Sequence, residues 1–174
     1  KHHSIMVLEG SYGSGDRSAR RLAGWEYPPS SGYPLSRAGL TWYPPTNPPA
    51  PTIADINNDG KLEILYAAHD GYVYCTSSSA QSLWRYDFRH GRSVMYASEV
   101  MAVDLNQDGA VELIFTTFGL PNNISTLPSG YLVILNNQGQ LLHDIQLVQG
   151  TNGNGKGAPA APTVMDVNGD GALE

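Results

Sequence analysis

The chain has a single cysteine, Cys75, among 174 residues, so no disulfide can form within it. Its fold has to be held by an apolar core and by any metal it binds. Charge is also scarce, at 15% of residues, and basic charge scarcest: ten Lys and Arg stand against sixteen Asp and Glu, a formal net charge of −6. Without a basic stripe to replace counterions along phosphates, the composition argues against a nucleic-acid partner. No apolar run reaches the roughly 18 residues that span a membrane as a helix. An initiator Met and a signal-peptide pattern are missing as well, from which a processed or trimmed chain is expected, with Lys1-His2-His3 as its frayed end.

What is plentiful points one way. Nineteen Gly, twelve Pro and ten Tyr describe a turn-rich β-protein, because Gly and Pro break helices and aromatic rings suit pleated surfaces. A hydrophobic content of 41% suffices for a sizeable core. Cys75 lies in the strand-like run Tyr72-Val73-Tyr74-Cys75-Thr76 and is expected to be a small buried hydrophobe.

Internal repetition organises the rest. The run Pro51-Thr52-Ile53-Ala54-Asp55-Ile56-Asn57-Asn58-Asp59-Gly60-Lys61-Leu62-Glu63-Ile64 returns as Met101-Ala102-Val103-Asp104-Leu105-Asn106-Gln107-Asp108-Gly109-Ala110-Val111-Glu112-Leu113-Ile114. A third copy runs from Pro162 through Asp166, Asn168, Asp170 and Gly171 to Glu174. The copies begin their Asp-x-Asn-x-Asp-Gly-x-x-Glu loops at Asp55, Asp104 and Asp166, 49 and 62 residues apart, about the size of a four-stranded propeller blade. In the first complete unit strands are predicted at 51–56, 62–68, 72–77 and 82–88, with a hairpin turn at Asp70-Gly71. In the second they are predicted at 97–105, 111–118, 130–136 and 141–148, with a long loop at 119–129 and a turn at Asn137-Gln138-Gly139.

The ends fit the same frame. Ser4 to Gly10 matches a third strand, and Gly24-Trp25-Glu26-Tyr27 matches the Trp-bearing fourth strand around Leu83-Trp84-Arg85-Tyr86. The expectation is therefore an all-β segment of a β-propeller built from four-stranded antiparallel blades, two complete and two partial. Residues 1–50 form a partial blade and a connecting loop, 51–93 and 94–150 the two whole blades, and 151–174 the start of another. Eight of the twelve prolines fall in 28–51, an extended inter-blade connection. Two whole blades and two partial ones cannot close a ring, so the chain is expected to be a fragment or to be completed by another chain.

The repeated loops carry the chemistry. A hard cation such as Ca²⁺ takes six to eight oxygen ligands, and alternate residues of a tight loop can all face it. In the first loop these are the side chains of Asp55, Asn57 and Asp59, the carbonyl of Lys61 and the carboxylate of Glu63. The same roles fall to Asp104, Asn106, Asp108, Ala110 and Glu112, then to Asp166, Asn168, Asp170, Ala172 and Glu174. Nine of the sixteen acids lie in these loops, and one divalent ion in each would bring the formal charge to zero. An EF-hand is excluded because it needs a Glu at position 12, where this chain has Tyr66 and Phe115, and needs flanking helices. Ordinary Asp/Asn/Gly turns explain one copy but not three with one spacing.

An apolar strand, this loop, a second apolar strand, Asp70-Gly71-Tyr72-Val73-Tyr74 and a Trp-bearing strand together resemble the FG-GAP/VCBS repeats of integrin-α-type propellers. The resemblance implies calcium binding, up to three ions here, and an extracellular or cell-surface location. It implies a non-catalytic binding, adhesion or assembly role, with a protein or glycan partner or self-association through open blade edges. It also admits part of a polysaccharide lyase or a lectin whose active or sugar site lies elsewhere. No catalytic residue carries over.

Remaining candidates are scattered. His69, His90 and His143 lack metal spacing. Ser77-Ser78-Ser79 is a turn, and Gly150 to Gly157 lacks the Gly-Lys-Ser/Thr of a phosphate loop. Trp25 and Trp84 recur at one blade position, as inter-blade packing would require, which leaves Trp42 as the better ring to stack on a sugar. Asn123-Ile124-Ser125 is a glycosylation sequon, meaningful in a secreted eukaryotic chain.

Overall fold

A computed structural model describes residues 49–68, 70–89, 95–119, 130–147 and 157–174. The described residues contain strands and turns and no helix. Nine strands run in chain order: β1 (Thr52–Ala54), β2 (Glu63–Ala67), β3 (Tyr72–Thr76), β4 (Ser82–Asp87), β5 (Tyr96–Ala97), β6 (Met101–Val103), β7 (Glu112–Phe118), β8 (Tyr131–Leu135) and β9 (Leu141–Gln146). The first four make an antiparallel sheet in sequential order. The rest make a second antiparallel sheet, in which β7 pairs with β5, β6 and β8, and β8 pairs with β9.

The strand sequences explain these positions. The central strands β2 (Glu-Ile-Leu-Tyr-Ala) and β7 (Glu-Leu-Ile-Phe-Thr-Thr-Phe) are apolar almost throughout and buried on both faces. The outer strands β4 and β9 hold no fully buried residue, β9 being exposed at all but one position. With a side-chain period of two, Leu65, Ala67, Val73 and Cys75 of the first sheet share one face. That face meets Leu113, Phe115, Val133 and Leu135 of the second in one continuous core. Phe115 is central to it, with the rings of Tyr86 and Phe88 edge-on at 6.3 and 6.2 Å. Cys75 lies in this core with no exposed surface, and burial, then the neighbouring Glu63 carboxylate, pushes its thiol up to about 12. It is a packing residue.

The opposite face of the first sheet carries a tyrosine layer. Tyr66 and Tyr74 stack at 5.2 Å, Tyr72 is tilted against Tyr74 at 6.0 Å, and the guanidinium groups of Arg85 and Arg89 lie 4.7 and 4.9 Å from the Tyr72 ring. Asp70 accepts the Tyr74 hydroxyl at 2.6 Å and the Tyr72 N–H at 3.1 Å. Burial holds its carboxyl above the usual 3.8, against the lowering effect of those hydrogen bonds.

The hairpins follow the expected turn chemistry. The β8–β9 turn spans Asn137 to Gly139, with Asn136 N–H bonded to the Gln140 carbonyl and Gly139 in the left-handed region at φ 76°. The β3–β4 turn repeats it with Ala80 at φ 63°. Gly139 is glycine for a second reason: a Cβ there would stand 2.6 Å from the Trp84 ring of the other sheet. Trp84 also donates its indole N–H to the Asn137 carbonyl at 3.1 Å, and the Asn137 amide donates to the Ile56 carbonyl at 3.1 Å. The expectation that Trp84 packs between units is met; Trp25 lies outside the described residues.

One element differs from the sequence reading. A single strand over 97–105 is predicted, but the structure has β5 and β6 separated at Ser98–Val100. Ser98 is the cause. Its N–H donates to the Thr116 carbonyl at 2.8 Å, while its hydroxyl accepts the Thr116 N–H at 3.0 Å. A side chain therefore takes a ladder position that backbone would fill, and the strand bends there. Beyond it, Thr52 Oγ1 donates to the Val100 carbonyl, joining the first strands of the two units.

Two outcomes are expected. Phe115→Ala should destabilise the chain by about 3–5 kcal/mol in urea unfolding, whereas Ile145→Ala, at an exposed position, should stay within about 0.5 kcal/mol. Because the folded pKa of Asp70 is raised, its contribution is most favourable at low pH. It declines as pH rises from 3.8 through the folded value, and is flat above. Asp70→Asn removes the titrating charge, keeps an acceptor oxygen for the Tyr72 N–H, and can donate its amide to the Tyr74 hydroxyl oxygen in place of the bond it accepts there. The stability of wild type relative to this variant should therefore fall with pH across that window in unfolding titrations between about pH 3 and about pH 7.

Candidate metal centre

The first two Asp-rich loops join β1 to β2 and β6 to β7, while the third is closed by paired backbone hydrogen bonds between Met165 and Glu174 at 3.0 Å; all fifteen predicted site residues fall within the described chain. Each loop closes on its first aspartate. In the first, Asp55 Oδ1 accepts the Asp59 N–H at 3.1 Å and Oδ2 the Gly60 N–H at 2.8 Å. Asn57 Oδ1 accepts the Asp59 N–H at 2.9 Å, and Asp59 Oδ1 the Lys61 N–H at 2.8 Å. Glu63 Oε2 reaches back to the Ile56 N–H at 3.1 Å. Gly60 at φ 82° makes the sharp turn on which this arrangement depends.

The second loop repeats the scheme bond for bond. Asp104 accepts from Asp108 and Gly109 at 3.1 and 2.8 Å, Asn106 from Asp108 at 3.0 Å, Asp108 from Ala110 at 2.8 Å, and Glu112 from Leu105 at 2.9 Å. So does the third. Asp166 accepts from Asp170 and Gly171 at 3.2 and 2.8 Å, Asn168 from Asp170 at 2.8 Å, Asp170 from Ala172 at 2.8 Å, and Glu174 from Val167 at 3.0 Å. The Gly171 N–H, with other loop N–H groups beside it, holds the Asp166 carboxyl below the usual carboxylate range.

The acids alone do not form a metal cluster: among the described residues no three His, Cys, Asp or Glu groups are gathered so as to hold an ion. The donor set is mixed, and every member is an oxygen from carboxylate, amide or carbonyl, which is the chemistry a hard cation takes. Each ionised carboxylate has about four lone-pair positions, and the N–H bonds occupy only some of them. In the third loop Asp170 Oδ2 and Glu174 Oε1 converge on one electropositive group, the Asn168 amide, at 3.0 and 3.1 Å. In the first, Asp59 Oδ2 lies 3.4 Å from the Asn57 amide. The residues fit Ca²⁺. Glu63 and Glu112 are buried, whereas Glu174 is exposed.

At the other ends of the strands is a cleft of about 350 Å³, whose walls include Tyr96, Phe118, Ala67, Glu99 and Ala160. The Tyr96 and Phe118 rings stack at 5.7 Å, burial raises the Tyr96 hydroxyl, and Glu99 accepts the Ala50 N–H at 3.3 Å. Nothing in the sequence pattern marks this cleft, because its residues come from five separate segments. His143 is exposed on β9. Trp42, Asn123, His69 and His90 lie outside the described residues.

A family model described as the lambda-carrageenase beta-propeller domain matches residues 52–111. The match covers the first Asp loop, the first sheet and most of the second loop. It supports a β-propeller, and it names that domain, not the FG-GAP/VCBS repeat. No curated protein and no solved structure matches the chain.

Proposed function

We propose that the chain is a calcium-stabilised β-propeller segment that acts outside the cell as a non-catalytic module of a polysaccharide-degrading protein. The observation that carries the calcium part is the threefold repetition of one hydrogen-bond scheme on one all-oxygen donor set. Asp55, Asn57, Asp59, the Lys61 carbonyl and Glu63 would hold one ion, and their counterparts in the other loops two more. Bound Ca²⁺ would supply positive charge beside the carboxylates of each loop. The loop residues themselves fix the turn and hold the carboxylates on N–H groups.

The polysaccharide part is supported by the likeness of 52–111 to a carrageenase propeller domain. It takes up the enzyme-associated reading in preference to a free-standing adhesion or assembly protein. The stacked Tyr96–Phe118 pair beside a carboxylate suits a sugar, since aromatic faces pack on apolar ring surfaces and a carboxylate accepts hydroxyl hydrogen bonds. Catalysis is assigned to residues outside this segment.

Chelation should lower the thermal midpoint of the chain and added Ca²⁺ restore it, and Glu63→Gln should reduce the gain. A midpoint indifferent to both would remove the metal reading. Incubated with carrageenans and a panel of neutral polysaccharides, the chain should retain a polysaccharide in a pull-down, lose that retention on Tyr96→Ala, and release no new reducing ends. Cleavage by the chain alone would overturn the non-catalytic assignment, and no retention of any polymer would overturn the module.

A further inference from the structure

The fourth position of each loop is not among the proposed ligands, yet in two loops it makes a contact of its own. Asn58 donates its side-chain amide to the Gly109 carbonyl of the second loop at 2.9 Å. Gln107, at the same position of the second loop, donates to the Gly171 carbonyl of the third at 2.7 Å. Donor and acceptor are equivalent in both cases: position 4 of one loop, and the position-6 glycine of the next.

The backbone gives these side chains added meaning. Asn58 and Gln107 sit in the left-handed region at φ 60° and 61°, where Gln in particular is disfavoured and glycine is not. The third loop has Gly169 there, at φ 80°, and closes by the same scheme. The turn itself therefore needs no side chain at position 4.

The peptide unit that receives the contact is central to the neighbouring loop. Its C=O is that of Gly109, and its N–H, that of Ala110, donates to the Asp108 carboxylate at 2.8 Å. In the third loop the Ala172 N–H donates to Asp170 at 2.8 Å in the same way. A hydrogen bond to the carbonyl side of a peptide polarises and orients its N–H side. The contact thus runs from one loop into a candidate ligand of the next. Position 4 lies between two candidate ligands of its own loop, Asn57 and Asp59 or Asn106 and Asp108, so whatever orders those residues also orders the donor.

We propose that Asn58 and Gln107 are positioning residues that couple successive cation loops, so that filling one loop raises the affinity of its neighbour. This rests on the calcium reading above. Coupling of this kind is reciprocal, since each loop must affect the other by the same factor. Gly169, at the same position of the third loop, carries no side-chain amide.

Calorimetric titration of the full chain with Ca²⁺ tests it, comparing wild type with the double variant Asn58→Gly/Gln107→Gly. Glycine is chosen because the third loop already tolerates it at this φ. Wild type should bind cooperatively, with about fivefold or greater tightening between neighbouring loops. The variant should bind the same number of ions independently. Hydrogen exchange without metal gives a second readout: Gln107→Gly should speed exchange at the Ala172 N–H and leave the Lys61 N–H unchanged. Independent binding in wild type, or cooperativity that survives in the variant, would overturn the coupling while leaving the loops as calcium sites. Absence of any calcium-dependent heat in wild type would overturn the calcium reading, and the coupling with it.

Discussion

The structure depends on one constraint: neither sheet can bury its apolar face alone. Short antiparallel sheets of four or five strands gain stability only when a second layer covers them. Here the cover is the next unit of the same chain. Leu65, Val73 and Cys75 have no exposed surface because Leu113, Phe115 and Leu135 stand opposite them, themselves equally buried. The central strands β2 and β7 are consequently buried on both faces, and the outer strands β4 and β9 hold no buried residue. The Asp loops, the hairpin turns and the Trp84 contact all take their positions from that stacking.

Where the layers meet at their ends, polar groups replace apolar ones. Asn137 accepts from the Trp84 indole through its carbonyl and donates to the Ile56 carbonyl through its amide, so one turn residue ties two parts of the preceding unit. Thr116 does the same toward the following segment, its one hydroxyl proton shared between the Ala158 and Ala160 carbonyls at 2.6 and 3.0 Å. These bonds are directional in a way that apolar contact is not. They tie one unit to the next at named atoms, and the repeated contact from loop position 4 to loop position 6 is a further bond of this kind.

Much of this was legible in the sequence, and the reason is repetition. Strand–loop–strand periodicity, the Asp-Gly and Asn-Gln-Gly turns and the recurrence of one acidic spacing placed eight of the nine strands among the described residues to within a few residues. What local pattern could not show is whatever depends on a partner far along the chain. The break at Ser98 arises because its hydroxyl meets the N–H of Thr116, 18 residues on. The aromatic cleft draws on separate segments, each unremarkable alone. Ile53 and Leu62 flank the first loop as apolar residues, yet are 60% and 54% exposed, since position beside a turn does not decide which layer a side chain meets. For the candidate loops, the spacing marked the Asp, Asn and Glu side chains whose accepted hydrogen bonds close each turn. The amides at position 4 read as spacers in the motif, because their partners are in the next copy.

The Trp84 contact also has a bearing on how the chain is made. The indole is anchored by a carbonyl 53 residues further along, on a turn that exists only once β8 and β9 have paired. A ribosome adds about 5–20 residues per second, so a nascent first sheet spends seconds with its outermost ring undocked. Each unit is thus finished by its successor, and the most recently synthesised one is always the least protected against proteases and against stray pairing with a neighbouring nascent chain.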